Sequence, residues 1–139
     1  MPQKTNNQFG PEFLKHIKVF GLYAFGEKLP ANCARWPQTT RVVEAIPGMT
    51  TAGFSFLAPG TVIRPHIGYS GELLRCHLGL IVTEGCALRV GAETLNWDAG
   101  KRLVFDDTVE HEAWNSGAEG RAVLLIYFRR AILNVALAS

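Results

Sequence analysis

The chain has 139 residues, is 47% hydrophobic and 19% charged, and carries a formal net charge of +2. That length fits one domain, residues 1–139, with a substantial core, and the composition excludes a disordered chain. The small, scattered positive charge argues against nucleic acid or a membrane surface as partner, and no apolar run approaches the ~20 residues of a bilayer span. The opening stretch MPQKTNNQFGPEF lacks the apolar core of a signal peptide. Cys33, Cys76 and Cys86 are odd in number and show no CxxC spacing, which argues against a disulfide framework or a zinc knuckle. A reduced, cytoplasmic protein is the expectation; oligomeric state is not specified.

Along the chain, Met1 to Phe9 is polar. Pro11 to Phe20 predicts a short helix, with Pro in the first turn, Phe13, Ile17 and Phe20 on one stripe, His16 on its surface and Gly21 as the stop. Leu22 to Gln38, with Gly26, Pro30 and Pro37, predicts a meandering loop. From Arg41 onward the pattern predicts short strands near 41–46, 50–58, 61–65, 73–82, 86–90, 93–97, 101–105, 111–115 and 121–128. Turn residues separate them: Pro47-Gly48, Pro59-Gly60, Tyr69-Ser70-Gly71, Glu84-Gly85, Gly91, Asp98-Ala99-Gly100 and Ser116-Gly117. Arg129 to Leu137 adds a helical turn or two. The fold class is therefore all-β, a sandwich or barrel, and this number of strands points to a jelly roll with short flanking helices.

Polar groups recur in these strands at regular offsets. Side chains two apart share a strand face, so Leu73, Arg75 and His77 point together, against the apolar Leu74, Cys76, Leu78 and Leu80. His111, Ala113 and Asn115 share a face, as do Arg121, Val123 and Leu125. Imidazoles and guanidiniums aimed into an apolar barrel are costly unless partnered, which suggests a metal and carboxylates inside. Alone, each of these histidines reads as a structural residue and each arginine as a salt-bridge partner; their combination is the signal.

The combination resembles a family. His66-Ile67-Gly68, Leu74-Arg75-Cys76-His77-Leu78-Gly79-Leu80, Glu84-Gly85-Cys86, Trp97, Gly100, Phe105-Asp106-Asp107, Glu110-His111-Glu112 and Arg121 are similar to the aspartyl/asparaginyl β-hydroxylases. The likeness runs from about Asn32 to Ile126, with nine residues from His66 to Arg75 and ten from His111 to Arg121. It implies a double-stranded β-helix, cupin-like, bearing an iron(II)- and 2-oxoglutarate-dependent dioxygenase. On this resemblance His66 and His111 are the iron ligands. Arg121, with the Ser55 hydroxyl, holds the distal carboxylate of 2-oxoglutarate, and Arg75 and His77 lie near its metal-binding end, unless His77 only packs behind them. Gly68 stands where most such oxygenases place the third, carboxylate ligand. The implied reaction consumes dioxygen and 2-oxoglutarate, releases succinate and carbon dioxide, and hydroxylates an unactivated C–H.

Asp106 and Asp107 read as turn groups, or groups that orient His111, rather than ligands. Trp97, Trp114 and the phenylalanines read as core. Family members acting on aspartyl or asparaginyl side chains carry a basic residue at the position of Leu73; here it is apolar, and Arg64 is the candidate to supply a displaced positive charge to substrate. Without the helical repeats and membrane anchor of the peptide-acting animal enzymes, the chain is expected to act on a small metabolite, a carrier-bound amino acid or a lipid. Two other readings stand beside hydroxylation. One is a non-catalytic cupin-like module that binds a metal or small acid. The other is a halogenase variant, with chloride beside Gly68.

Overall fold

In the computed structural model, which describes residues 17–68 and 71–130, ten strands form two antiparallel sheets. The strands are β1 Ile17–Ala24, β2 Glu27–Lys28, β3 Met49–Leu57, β4 Thr61–His66, β5 Leu73–Ile81, β6 Cys86–Val90, β7 Glu93–Leu95, β8 Arg102–Phe105, β9 His111–Asn115 and β10 Arg121–Arg129. One sheet runs β2-β1-β3-β10-β5-β8 and the other β4-β9-β6-β7. The sheets enclose a core of Cys86, Leu88, Trp97, Phe105, Ala113 and Val123. This is the expected jelly-roll arrangement of a double-stranded β-helix. Gly48, Gly60, Gly85, Gly91 and Gly100 turn the chain with left-handed φ values of 75°, 81°, 91°, 58° and 78°. Such values suit residues without a Cβ.

The larger sheet buries both faces. Its inner face supplies Val123 to the barrel core, and its outer face carries Ala52, Cys76, Leu124 and Ile126, closed by Val43. Val43 belongs to one of two helices, α1 Pro30–Arg35 and α2 Pro37–Glu44. Here the structure corrects two expectations. The loop expected over Leu22 to Gln38 contains the end of β1, β2 and α1, because Pro30 and Pro37 stand in the first turns of helices, where their missing N–H costs nothing. The strand expected over 41–46 is mostly α2. Thr40 and Val43, three apart, are buried while Arg41 and Val42 are exposed, so helical spacing outweighs the β-branched pair.

The expected N-terminal helix is corrected too. Ile17 to Phe20 open β1, which pairs with the edge of β3 from Ile17↔Leu57 to Tyr23↔Ala52. Gly21, expected as a helix stop, lies inside that strand opposite Gly53, where a Cβ on Gly53 would come within 2.7 Å of the Phe20 carbonyl. The rest of that predicted helix, with His16, and the expected C-terminal turns after Arg130 lie outside the described residues. Cys33, Cys76 and Cys86 are free and buried.

Candidate active site

Two strands of the smaller sheet bring the first two histidines together. His66 ends β4 and His111 opens β9, and the two are register partners with ring centroids 4.2 Å apart, tilted by 59°. Each Nδ1 lies 2.8 Å from the carbonyl oxygen two residues earlier, Arg64 for His66 and Val109 for His111. A carbonyl only accepts, so each Nδ1 bears a proton, and in the neutral ring that leaves the lone pair on Nε2. The Nε2 of His111 is buried with no hydrogen-bond partner. Burial also holds His111 below the usual histidine range, opposed by its bond to Val109, so it stays neutral, as ligation requires. Main-chain carbonyls therefore orient the rings. The two aspartates considered for that task do something else.

Asp106 makes a local turn, accepting from the Thr108 N–H at 2.9 Å and hydroxyl at 2.6 Å, and pairs with Arg130. The Thr108 hydroxyl, first among these contacts, holds the Asp106 carboxyl below its ordinary range. Asp107 packs against the residue that lacks a side chain. A Cβ built on Gly68 would lie 2.6 Å from the Asp107 Cγ and Oδ1 and 2.7 Å from Oδ2. The Gly68 N–H donates to the Asp107 carbonyl at 2.6 Å, and Tyr127 donates its hydroxyl to Oδ2 at 3.0 Å. The space that a carboxylate side chain at 68 would need is thus taken by the carboxylate of Asp107. Among the described residues no group of three or more His, Cys, Asp or Glu side chains is placed to hold a metal.

From Tyr127 a polar path runs down the larger sheet. The Tyr127 hydroxyl accepts from Arg75 Nη1 at 3.1 Å, its cross-strand partner. Arg75 Nε stands 3.0 Å from His77 Nε2, so Arg75 and His77 do share the inner face. His77 is wholly enclosed; desolvation first, then the charges of Arg75 and Arg121, keep it far below the usual range and neutral. Trp97 Nε1 donates to His77 Nδ1 at 3.0 Å, and the face of Trp97 lies 4.5 Å under the Arg121 guanidinium. Phe105 contacts both His77 and His111 edge-on, each at 5.4 Å between centroids.

Arg121 is 3% exposed. Its Nη2 reaches the Ser55 hydroxyl at 3.1 Å and the Ser55 carbonyl at 3.3 Å, while Nε has no partner. Burial, foremost, and the neighbouring Arg75 push its pKa down to about 10. No acidic side chain among the described residues forms an ion pair with Arg75 or Arg121. A buried cation without a counter-ion is a receptor for an anion.

The structure therefore gathers His66, His111, Arg75, His77, Arg121 and Ser55 around one interior. Leu73 opens the same strand as Arg75 and His77 and is half-buried, and Arg64 is exposed and gives its carbonyl to His66. Three participants were not foreseen. Tyr127 was discoverable, since it alternates inward with Arg121, Val123 and Leu125 on one strand. Trp97 is core, as expected, but also touches both anion-binding candidates, and no local sequence signal placed its N–H. The seating of Asp107 against Gly68 depends on loop packing.

The family model described as aspartyl/asparaginyl beta-hydroxylase matches residues 4–131. Among curated relatives, the ornithine lipid ester-linked acyl 2-hydroxylase of Rhizobium tropici is 45% identical over 114 residues, 80% of this chain and 41% of that protein. The aspartyl/asparaginyl beta-hydroxylase of Homo sapiens is 35% identical over 113 residues, 77% of this chain and 15% of that protein. This chain thus spans less than half the length of either. In fold it is similar to the cupin_2 domain of an XRE-family transcriptional regulator from Enterobacter cloacae, with TM-score 0.56, 10% identity, and coverage of 81% of this chain and 96% of that one. It is also similar to the DMSP lyase DddQ of Ruegeria pomeroyi, with TM-score 0.59, 11% identity, and coverage of 87% and 51%.

Proposed function

This chain belongs to the aspartyl/asparaginyl β-hydroxylase family, and we propose that it is an iron(II)- and 2-oxoglutarate-dependent hydroxylase acting on an unactivated C–H of a lipid-type substrate. The observation that carries the proposal is Arg121, a buried guanidinium with no acidic partner among the described residues. A continuous run of contacts links it to two histidines whose rings lie side by side.

The donor set fits the metal. Two imidazoles, each fixed through Nδ1 by a carbonyl, suit a divalent first-row ion, and the orphaned buried Nε2 of His111 gains a partner when one binds. His66 and His111 would hold it, and together with 2-oxoglutarate it would supply dioxygen activation. Around it, the chain's own groups bind and orient. Arg121 and Ser55 receive the distal carboxylate through charge-assisted bonds, and Arg75 and His77 receive the other acid end. Trp97, Phe105 and Val123 keep water from these contacts, which strengthens them. Two histidines alone leave a divalent ion less charge-compensated, so the dianionic co-substrate contributes much of the holding energy.

For the substrate, Leu73 leaves the wall beside Arg75 apolar. An aspartyl carboxylate entering there would lose water without gaining an ion pair, a penalty on the order of several kcal/mol. The lipid-acting Rhizobium relative points the same way; a carrier-bound or amino-acid-like substrate presenting an apolar carbon would suit the wall as well. The halogenase alternative is disfavoured because chloride beside Gly68 would lie against the Asp107 carboxylate, anion on anion. A non-catalytic binding module has no need to keep two ligand histidines and two unneutralised arginines together. The test is anaerobic titration of the protein with iron(II) and 2-oxoglutarate. The proposal expects a weak visible charge-transfer band that is absent from His66→Ala and His111→Ala; no band in the wild-type protein overturns it.

A further inference from the structure

His77 stands between two obligatory donors. Arg75 Nε lies 3.0 Å from its Nε2, and Trp97 Nε1 lies 3.0 Å from its Nδ1. A neutral imidazole has one proton and one accepting lone pair, so it can satisfy only one of them. The other must face an N–H. Which one gives way follows from what each can do instead. Trp97 is 2% exposed, has a single N–H, and among the described residues finds no acceptor other than His77. Leaving that N–H buried and unmade forfeits its whole desolvation cost. Arg75 is half-buried, has five N–H groups, already donates one to Tyr127, and can turn its Nε–H to an incoming acceptor.

We propose that Trp97 is a positioning residue that fixes the tautomer of His77: its indole N–H claims Nδ1, the imidazole proton resides on Nε2, and His77 and Arg75 together offer two N–H donors to one carboxylate. The close approach of the two donors is then a site waiting for an acceptor, and one carboxylate oxygen between them resolves it. Trp97 also underlies Arg121 with its ring face, so a single buried indole organises the groups at both ends of a dicarboxylate. The identity of that dicarboxylate as 2-oxoglutarate rests on the function proposed above; the tautomer does not.

The test uses uniformly 15N-labelled, metal-free protein and long-range proton–nitrogen correlation spectra, which report the ring nitrogen that bears hydrogen. The wild-type protein should show His77 protonated on Nε2. Trp97→Phe keeps an aromatic face under Arg121 but frees Nδ1, so Arg75 captures Nε2 and the proton moves to Nδ1. In zinc-loaded protein, 2-oxoglutarate affinity measured by calorimetry should then fall about tenfold, because the nitrogen facing the carboxylate has become an acceptor. A wild-type proton on Nδ1, or one that stays on Nε2 in Trp97→Phe, overturns the assignment. The wild-type spectrum decides the matter alone if the variant does not fold. Wild-type protein that shows the Nε2 proton but binds no 2-oxoglutarate would leave the tautomer standing and remove the proposed co-substrate.

Discussion

Arg121→Met should make the protein more stable and unable to bind its co-substrate. The guanidinium is 3% exposed, and its pKa is pushed down from the ordinary arginine range to about 10. At about 1.36 kcal/mol per unit, that displacement corresponds to about 3 kcal/mol of strain on the charged form. Methionine fills a similar volume without a charge. Against the gain stand the two contacts to Ser55 and the cation–π contact with Trp97, together about 1–2 kcal/mol. The balance favours the variant by roughly 1–2 kcal/mol, or several degrees in Tm for a domain of this size. Thermal unfolding of the metal-free protein reads the stability, and calorimetric titration of zinc-loaded protein with 2-oxoglutarate reads the binding. A variant that unfolds earlier than wild type would mean that Arg121 is paid for within the protein itself. One that still binds 2-oxoglutarate at wild-type affinity would remove Arg121 from the site.

Gly68→Asp should not simply install a third metal ligand, because its Cβ would enter the Asp107 carboxylate at 2.6 Å. Overpacking of this kind costs about 1–3 kcal/mol, and a second acid pressed against the first would resist ionising. Urea unfolding should show Gly68→Asp destabilised and Gly68→Asp/Asp107→Ala largely restored, with tighter iron binding only in the double variant; additive losses would contradict the packing. Stability should decline on acidification below about pH 6.5. His77 has a depressed folded pKa, so its contribution is complete above the unfolded value and falls away as protons favour the unfolded chain. The slope from this one group is at most about 1.4 kcal/mol per pH unit, and urea midpoints at pH 7.5 and 5.0 should lie closer together in His77→Gln; equal separation in the two proteins would contradict it. Leu73→Arg should shift hydroxylation from acyl chains toward an aspartyl peptide without abolishing 2-oxoglutarate consumption, read by mass spectrometry on a mixed panel. Efficient wild-type turnover of the aspartyl peptide would sink the apolar-wall argument.

The strands that carry the candidate site were legible because alternation and turns both mark them. Strands 86–90 and 111–115 were foreseen to the residue, and the shared face of Arg75 and His77 follows from period two. Elements whose form depends on distant partners were not legible. Ile17 to Phe20 fit a helical stripe as well as a strand, and pairing with β3 decides between them. The β-branched Val42-Val43 read as a strand until a sheet face was present for Val43 to cover. Asp107 looked like a turn residue because nothing local announces that its carboxylate will fill the space beside Gly68. Trp97 read as core for the same reason: its burial is written in its type, while the partner of its N–H is set by the fold.

The measurement that bears most directly on the proposed chemistry is the fate of dioxygen during 2-oxoglutarate turnover, with or without the organic substrate. Protein supplied with iron(II), 2-oxoglutarate and 18O2 should form succinate carrying one heavy oxygen atom, and His66→Ala and His111→Ala should form none. Succinate without the label, or no succinate from the wild-type protein, would contradict an iron(II)- and 2-oxoglutarate-dependent oxygenase at these two histidines.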